Sequence, residues 1–241
     1  ILVTGSQGFL GGYVVSAIRS IGHVALTTSR SGGDAQVDLL APGMVTAVIE
    51  ALRPDVVLHL AAMSRMAECQ SDPDRAARVN AGLAELWAER FGGRMLFAST
   101  DLVFDGRRGP YGEDAAPAPL SVYGATKADG EDRVRHHGGR VVRLPLLFGA
   151  DDSGRGATAS LRDTMAAGER CSLFTNEYRT PLHAKDAAQA LVEFVANPDG
   201  PNVFHLPGPE RVSRWQLAQR LVAAQGLSVE ALESTECQDP L

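Results

Sequence analysis

The first eleven residues, ILVTGSQGFLG, decide the fold of this chain. Residues 1–4 are apolar and β-prone and end directly at a glycine, a pattern that predicts a short buried strand. Gly5, Gly8 and Gly11 follow three residues apart, and the sequence behind them carries apolar side chains at helical intervals. In such a segment the first glycine permits a tight turn, the second lets the backbone approach a pyrophosphate, and the third lets the helix pack closely on the sheet. The segment therefore predicts a strand, a phosphate-binding turn and a helix.

Further short apolar runs alternate with helical patterns along the chain. These runs predict strands over residues 24–27, 56–60, 95–98 and 141–144. Strand-helix alternation implies parallel strands that are joined by crossover helices. We therefore predict an α/β protein with a doubly wound parallel sheet of the Rossmann, NAD(P)-binding type.

The alternation becomes weaker after residue 148. We expect residues 1–148 to form a dinucleotide-binding Rossmann domain and residues 149–241 to form mainly a smaller substrate-binding lobe. Within that second part, residues 183–206 contain a helical pattern followed by an apolar run, and we expect them to return to the Rossmann half.

Composition excludes several classes of partner. The 241 residues carry 29 acidic and 23 basic side chains, so the net charge is −6, which argues against nucleic acid or an anionic membrane surface. The three cysteines are far apart and lack metal-ligand spacing, and the adjacent His136 and His137 have no third ligand at matching spacing, so no metal is expected. Reduced thiols favour a cytoplasmic protein. We expect a small molecule as the partner and keep a homodimer open.

The end of the second predicted strand bears on the choice of cofactor. An acidic residue at this place accepts the 2′-hydroxyl of the adenosine ribose, whereas a basic residue suits a 2′-phosphate. Here the sequence is Thr-Thr-Ser-Arg-Ser over residues 27–31, with no carboxylate and with the planar guanidinium of Arg30. This pattern favours NADP(H) over NAD(H), and the alternative is a solvated loop arginine.

Tyr123 and Lys127 are four residues apart and share one face of a helix if that helix begins near Ser121. Because the chain has only two lysines, the spacing carries more weight than it would in a lysine-rich protein. A nearby cation favours the tyrosinate and lowers a phenol pKa from its usual value of about 10. Such a pair suits proton transfer in the reduction of a carbonyl group.

A hydroxyl group lies at the end of the fourth predicted strand, where open parallel sheets bind ligands. Thr100 stands there, and it is positioned either to hold a substrate carbonyl oxygen beside Tyr123 or to cap the following turn. Sequence alone leaves both roles open.

These motifs together resemble the extended short-chain dehydrogenase/reductase superfamily, and within it the dTDP-4-dehydrorhamnose reductase-like branch of the NAD-dependent epimerase/dehydratase-like proteins. The resemblance covers nearly the whole chain. It is carried by residues 4–11, 53–62, 79–80, 99–106, 110–113, 119–127 with Gly130 and Glu131, and 179–183.

The resemblance implies roles for individual residues. Thr100, Tyr123 and Lys127 would be catalytic, with Tyr123 as the proton donor, Thr100 orienting the carbonyl group and Lys127 binding the nicotinamide ribose. The implied cofactor-binding residues are Gly5, Ser6, Gln7, Gly8, Phe9, Leu10, Arg30, Asp38, Leu39, Ala61, Ala62 and Asn80, together with Tyr123 and Lys127. The implied substrate-binding residues are Asp101, Leu146 and Arg179.

Two departures from the branch concern the substrate. Leu102 and Leu146 stand where the branch usually has aromatic side chains, which weakens the expectation of sugar stacking. We expect an NADP(H)-dependent reductase of a keto group on a sugar or nucleotide-sugar. The alternatives are an epimerase or dehydratase that retains its nicotinamide, for which Asp101 would be an argued extra base, and a non-catalytic NADP-binding subunit similar to the regulatory subunit of methionine adenosyltransferase.

Overall fold

A computed structural model describes residues 1–149, 156–197, 199–224, 226 and 229–237, and only the backbone of residues 157–160. In chain order its strands are β1 (Leu2–Thr4), β2 (Leu26–Ser29), β3 (Ala35–Gln36), β4 (Val57–His59), β5 (Met95–Thr100), β6 (Arg140–Leu144), β7 (Leu147–Phe148), β8 (Cys171–Phe174), β9 (Tyr178–Arg179), β10 (Leu182–His183), β11 (Val203–His205), β12 (Val212–Ser213) and β13 (Leu232–Thr235).

The helices lie between these strands. They are α1 (Phe9–Ser20), α2 (Met44–Leu52), α3 (Met66–Ser71), α4 (Pro73–Ala77), α5 (Leu83–Phe91), α6 (Val122–His136), α7 (Ala157–Ala166), α8 (Ala184–Ala196) and α9 (Arg214–Ala224). A π-helical turn over Arg78–Gly82 precedes α5, and a 3₁₀ turn over Asp101–Val103 follows β5.

Seven parallel strands form the central sheet in the order β11-β6-β5-β4-β1-β2-β3. The strand order reverses between β1 and β4, and ligands of open α/β sheets bind outside the carboxyl ends of the strands at such a switch point. The predicted doubly wound parallel α/β fold is therefore confirmed, and the segments after β1, β4 and β5 are the ones to examine for function.

The second strand begins later than its sequence pattern predicts. β2 covers Leu26–Ser29 instead of residues 24–27, and the side chain of Val24 is 70% exposed. Leu26 pairs with Leu2 of β1, so alignment with the neighbouring strand sets the start of β2. An isolated run of apolar letters cannot reveal that register.

The sheet is packed on one side by a large apolar cluster. Trp87 and Phe91 of α5 lie in it with Met95 and Phe97 of β5, and Val134 of α6 belongs to the same cluster. These fully or nearly buried side chains fix α5 and α6 against the sheet. Neither these helices nor the others in the described part of the chain are long and apolar enough to cross a membrane.

The chain forms two compact units. The first contains Ile1–Asp105, Pro110–Leu144 and Lys185–Leu206, and it includes the seven-stranded sheet. The second of these segments ends at Leu144, whereas the sequence predicted a domain boundary at residue 148. The third begins at Lys185, whereas the sequence predicted that the chain returns to the Rossmann half at residue 183.

The second unit contains Gly106–Gly109, Pro145–Ala184 and Pro207–Leu241. Its strands pair two by two, β7 with β10, β9 with β12 and β8 with β13. Cys171, Ala218, Val222 and Leu232 form its own small apolar core.

Candidate functional site

The turn after β1 forms a backbone cradle that side chains would fill. Gly5 has a positive φ of 68°, and a Cβ there would lie 2.9 Å from the backbone of Ala61. A Cβ on Gly11 would lie 2.4 Å from the Gly5 carbonyl oxygen, and Gly8 N donates to that oxygen at 2.8 Å. Only glycine fits at Gly5 and Gly11, whereas approach of a pyrophosphate to Gly8 remains a prediction.

Helix α1 begins directly in this cradle. Gly8 is the N-cap and provides no side-chain cap, and the first turn of α1 has no acidic residue. A backbone hydrogen bond runs from Gly12 N to Gly8 O, so the N–H groups of Phe9 and Leu10 precede the regular helical ladder. This arrangement fits the pyrophosphate of a dinucleotide, because helix N-termini present open N–H groups and a favourable dipole to anions.

A buried hydroxyl group fixes the loop after β4 beside the cradle. Thr4 Oγ1 accepts hydrogen bonds from the N–H groups of Leu60 and Ala61, both at 3.1 Å, and lies 2.7 Å from His59 Nδ1. Burial, aided by the charge of Lys127, lowers the pKa of His59 to about 3, so this imidazole is neutral. The backbone of Ala61, and with it the start of the Ala61-Ala62 segment, is thereby held next to Gly5.

The loop after β2 lies next to the glycine turn. A Cβ on Gly32 would lie 3.8 Å from the side-chain nitrogen of Gln7, so these two segments are neighbours. Arg30 is exposed in this loop, while the Ser29 hydroxyl is used within the turn, accepting from Ser31 N and donating to Gly32 O. A contact of Arg30 with a 2′-phosphate remains a prediction.

The carboxylate nearest to this strand end along the chain is Asp34, and it points back to the strand. Its Oδ2 accepts hydrogen bonds from N and Oγ1 of Thr27 at 2.9 and 2.8 Å, and these bonds lower the pKa of Asp34. Asp38, further on, accepts a hydrogen bond from Leu40 N at 3.1 Å, whereas the Leu39 side chain is buried in the core. Asp38 is exposed and Leu39 is buried, and their contact with a cofactor remains a prediction.

Asn80 joins two segments of the site. Its Oδ1 accepts from Met63 N at 2.8 Å, and its Nδ2 donates to Met63 O and to Thr126 Oγ1, both at 3.0 Å. The side chain is fully buried in the π-helical turn Arg78–Gly82. Asn80 thus connects the loop after β4 to helix α6 through hydrogen bonds within the protein.

Helix α6 begins where the sequence indicates. Ser121 is its N-cap and accepts a hydrogen bond from Gly124 N at 3.1 Å. A Cβ on Gly124 would lie 2.3 Å from the Leu102 carbonyl oxygen, so the first turn of α6 is pressed against the turn that follows β5. Tyr123, which stands in that first turn and is half-buried, is thereby placed beside the Thr100 segment.

Lys127 lies one helical turn beyond Tyr123 and is buried, with 1% of its surface exposed. Its Nζ stands 3.8 Å from the centroid of the Phe97 ring, a cation–π contact. Burial lowers the Lys127 pKa to about 7, and the charge of Glu131 opposes that shift. A lysine that titrates near neutral pH beside a tyrosine is typical of a functional site.

Of the two roles that its position suggested, Thr100 is seen in the structure as the cap of the following turn. Its Oγ1 accepts from Leu102 N at 3.2 Å and donates to Asp101 Oδ1 at 3.3 Å, so it caps the 3₁₀ turn Asp101–Val103. These bonds are long, and Thr100 stays at the carboxyl end of β5 beside α6. A substrate role for Thr100 and Asp101 remains a prediction.

The other two predicted substrate residues belong to the second unit. Leu146 accepts a backbone hydrogen bond from Leu182 N at 3.0 Å, next to β7 and β10. Arg179 lies in β9 and pairs with Glu177 at 3.8 Å. Their roles remain predictions.

A buried charged network behind the site was not assigned a role from the sequence. Glu131 of α6 and Arg143 of β6 form an ion pair at 2.7 Å, with 1% and 3% of their side chains exposed, and Ser99 Oγ donates to Glu131 at 2.5 Å. A charged residue within a strand or helix is expected at the surface. The signal that could have found the pair is Arg143 itself, since it interrupts a predicted buried strand.

Comparisons with known proteins agree with this geometry. The chain is 30% identical over 241 residues to methionine adenosyltransferase 2 subunit beta of Rattus norvegicus, which covers 94% of this chain and 72% of that protein. It is also 30% identical over 257 residues to the probable low-salt glycan biosynthesis reductase Agl14 of Haloferax volcanii, which covers 98% and 84% of the two chains.

Among solved structures, the fold resembles dTDP-4-dehydrorhamnose reductase of Bacillus anthracis, which was determined in complex with NADP. The TM-score is 0.85 at 21% identity, over 100% of this chain and 85% of that one. The family model of the RmlD substrate binding domain matches residues 1–241. The resemblance inferred from the motifs is thus confirmed, and the chain belongs to the RmlD substrate-binding domain family.

Proposed function

We propose that this protein is an NADP(H)-dependent oxidoreductase that reduces a keto group on a sugar or nucleotide-sugar. The observation that carries the proposal is the buried Lys127 one helical turn from the half-buried Tyr123, at the sheet edge that also holds Thr100. The glycine cradle on the neighbouring strand fits a dinucleotide. Agl14 of Haloferax volcanii, named as a probable reductase, supports the same class of reaction.

In such a reduction the residues of the site would have three roles: they bind the dinucleotide, donate a proton and orient the substrate. The glycine cradle, the Ala61-Ala62 loop and Asp38 with the Leu39 backbone would hold the dinucleotide, whose reduced nicotinamide supplies hydride when bound. Tyr123 gives its phenolic proton to the carbonyl oxygen, and the charge on Lys127 stabilises the phenolate that remains. Thr100 orients the carbonyl group by a hydrogen bond. Water then returns a proton to Tyr123.

Arg179 and Leu146, which belong to the second unit, are proposed as substrate-binding residues. Arg179 offers a guanidinium to a diphosphate or a carboxylate. Leu102 and Leu146 give aliphatic surface where the related branch has aromatic rings, so we propose a keto compound that does not depend on ring stacking. We propose a reducing cytoplasm as the place of action, because Cys69, Cys171 and Cys237, all among the described residues, are not part of a disulfide.

Arg30 is proposed to select NADPH by binding its 2′-phosphate. We expect Arg30→Ala to weaken NADPH binding by about tenfold or more and to leave NADH binding within about twofold, because one charge-assisted contact to a phosphate contributes about 1.5–3 kcal/mol. Affinities are measured by titrating the dinucleotides against intrinsic tryptophan fluorescence or by calorimetry.

Arg94→Ala is the matched control for that measurement. Arg94 is another exposed arginine, which precedes the amino-terminal end of β5 and donates to Asp55 O. The Arg94→Ala variant should bind NADPH in preference to NADH to the same extent as the parent protein. Equal affinities of the parent for NADPH and NADH would contradict the proposed cofactor selection.

A second candidate function is supported by the 30% identity to methionine adenosyltransferase 2 subunit beta. A non-catalytic subunit would bind the dinucleotide without turning it over. An epimerase or dehydratase is less well supported, because it needs an acid/base group besides Thr100, Tyr123 and Lys127, and Asp101 is the residue argued for that role.

The deciding experiment combines binding with turnover. NADPH affinity is measured first, and NADPH oxidation is then followed at 340 nm with a panel of keto-sugars and nucleotide keto-sugars. We expect tight binding together with oxidation by at least one compound of the panel. Tight binding with no oxidation across the panel would instead favour the regulatory subunit.

A further inference from the structure

The strongest candidate outside the residues already discussed is the buried carboxylate of Glu131. It lies one helical turn beyond Lys127 on α6, and its two oxygens are held by a bidentate contact with Arg143, with Nε at 3.1 Å from both and Nη2 at 2.7 Å from Oε2. Ser99 Oγ donates to Oε1 at 2.5 Å. Since Ser99 precedes Thr100 in β5, this hydrogen bond connects α6, which carries Lys127, to the end of the strand that carries Thr100.

The balance of buried charge shows what this carboxylate does. Lys127, Arg140 and Arg143 are buried cations, and Glu131 is the only buried carboxylate among the residues that the structure describes. Tyr123 lies one helical turn before Lys127 on α6, the neutral His59 on β4 interacts with its charge, and β5 presents the ring of Phe97 to it. Neither Tyr123 as a phenol nor His59 offers a negative charge. Glu131, one helical turn beyond Lys127, is the buried carboxylate that favours the protonated amine.

Arg143 has further contacts that fix its guanidinium group, and through it the position of the Glu131 carboxylate. Its Nη1 donates to Glu113 O at 3.2 Å and lies 3.1 Å from His205 Nε2, and its guanidinium stands 4.9 Å from the centroid of the Phe104 ring. Burial and the charge of Arg143 lower the pKa of His205, which suits a neutral ring that accepts this hydrogen bond. The network fixes the position of Glu131 relative to Lys127.

We propose that Glu131 is a positioning residue for the reduction, which it supports by keeping Lys127 protonated beside Tyr123. This inference rests on the proposed function for its kinetic consequence, while its effect on Lys127 is independent of any substrate. When Lys127 loses its proton, the phenolate of Tyr123 is no longer stabilised and proton transfer to the carbonyl oxygen slows. Arg143 and Ser99 act through Glu131.

The test uses the small number of lysines in the chain. Protein labelled with ¹³C at the lysine Cε gives two resonances, from Lys127 and Lys185. In the parent, Lys127 should titrate near pH 7. In Glu131→Gln, which keeps the hydrogen-bond acceptor and removes the charge, this midpoint should fall by about one unit or more. Lys185, exposed on α8, is the internal reference and should not move.

Activity gives a second, separate readout. The pH profile of kcat/KM reports groups of the free enzyme, so its alkaline limb should move to lower pH by the same amount in Glu131→Gln. Glu131→Asp, which keeps the charge, should restore the limb to within about half a unit. Asp132→Asn removes an exposed carboxylate of the same helix and should leave the profile unchanged.

The outcomes separate the two proposals. An unchanged Lys127 midpoint in Glu131→Gln, or a loss of activity that is equal at every pH, would overturn the role of Glu131. A shifted midpoint in a protein that oxidises no NADPH would support Glu131 and contradict the reductase. If Glu131→Gln does not fold, the double variant Glu131→Gln/Arg143→Met is used, because replacing a buried ion pair by uncharged groups is often tolerated. Its Lys127 midpoint should also lie below that of the parent, but by less than in the single variant, because a neighbouring positive charge is removed as well.

Discussion

Replacing Tyr123 by phenylalanine is expected to lower kcat for reduction of the keto substrate by about a thousandfold, within the range of 10²–10⁴ that general acid catalysis contributes. The substitution removes only the hydroxyl group. The Ser121 cap and the close contact of Gly124 with the Leu102 carbonyl do not involve that hydroxyl, so α6 should keep its place. The affinity for NADPH should change by less than about fivefold, since the cradle is intact.

Steady-state kinetics of NADPH oxidation and an equilibrium titration of NADPH check these two expectations. Tyr13→Phe is the matched control, because Tyr13 is a tyrosine of α1 whose ring packs edge-on against Phe9 and should do so without its hydroxyl. Reductase turnover in Tyr123→Phe equal to that of the parent would show that the proton comes from another group.

Replacing Lys127 by methionine is expected to abolish reduction and, in the absence of dinucleotide, to make the protein more stable. The folded chain holds Lys127 with a pKa of about 7, against 10.5 for an ordinary lysine. The unfolded chain therefore binds more protons between these values, and the stability of the parent rises as the pH rises from 7 towards 10.5. At pH 7 the buried amine costs about 3–4 kcal/mol, which methionine should recover.

Urea unfolding at pH 7 and pH 9.5 measures the effect. The parent should gain about 3 kcal/mol from this group between the two pH values, and Lys127→Met should lack that gain. Lys185→Met is the control, because it replaces the other lysine of the chain, which is exposed, and should stay within about 0.5 kcal/mol of the parent. A Lys127→Met variant that is less stable than the parent at pH 7, with the same dependence on pH, would contradict the cost assigned to this burial.

The sequence predicts those parts of the site that backbone sterics or chain proximity determine. The glycines of the first turn are needed because a Cβ would collide with Ala61 or Gly5 O, and such a requirement is visible as a spacing. The start of α6 is likewise local, since Ser121 caps its own helix. Tyr123 and Lys127 then share a face through helix geometry alone.

Other parts depend on pairing between distant segments, for which the local sequence gives little signal. The start of β2 is set by Leu26 lying opposite Leu2, while the Val24 side chain is exposed. The ion pair of Glu131 and Arg143 joins a helix to a strand; Arg143 is visible as a charge within a predicted buried strand, but Glu131 by itself resembles a surface charge. The hydrogen bonds of Asn80 to Met63 and Thr126 belong to the same class, because the segments meet only in the folded chain.

The burial of Lys127 has a practical consequence for labelling chemistry. Of the two ε-amino groups in the sequence, the folded protein presents only that of Lys185 to solvent. An amine-reactive dye or cross-linker is therefore expected to modify one lysine side chain, on α8, and to leave Lys127 unmodified. A second lysine label appears only when α6 separates from the sheet, so the rate of its appearance, read by mass spectrometry, reports how often this helix opens in the native state.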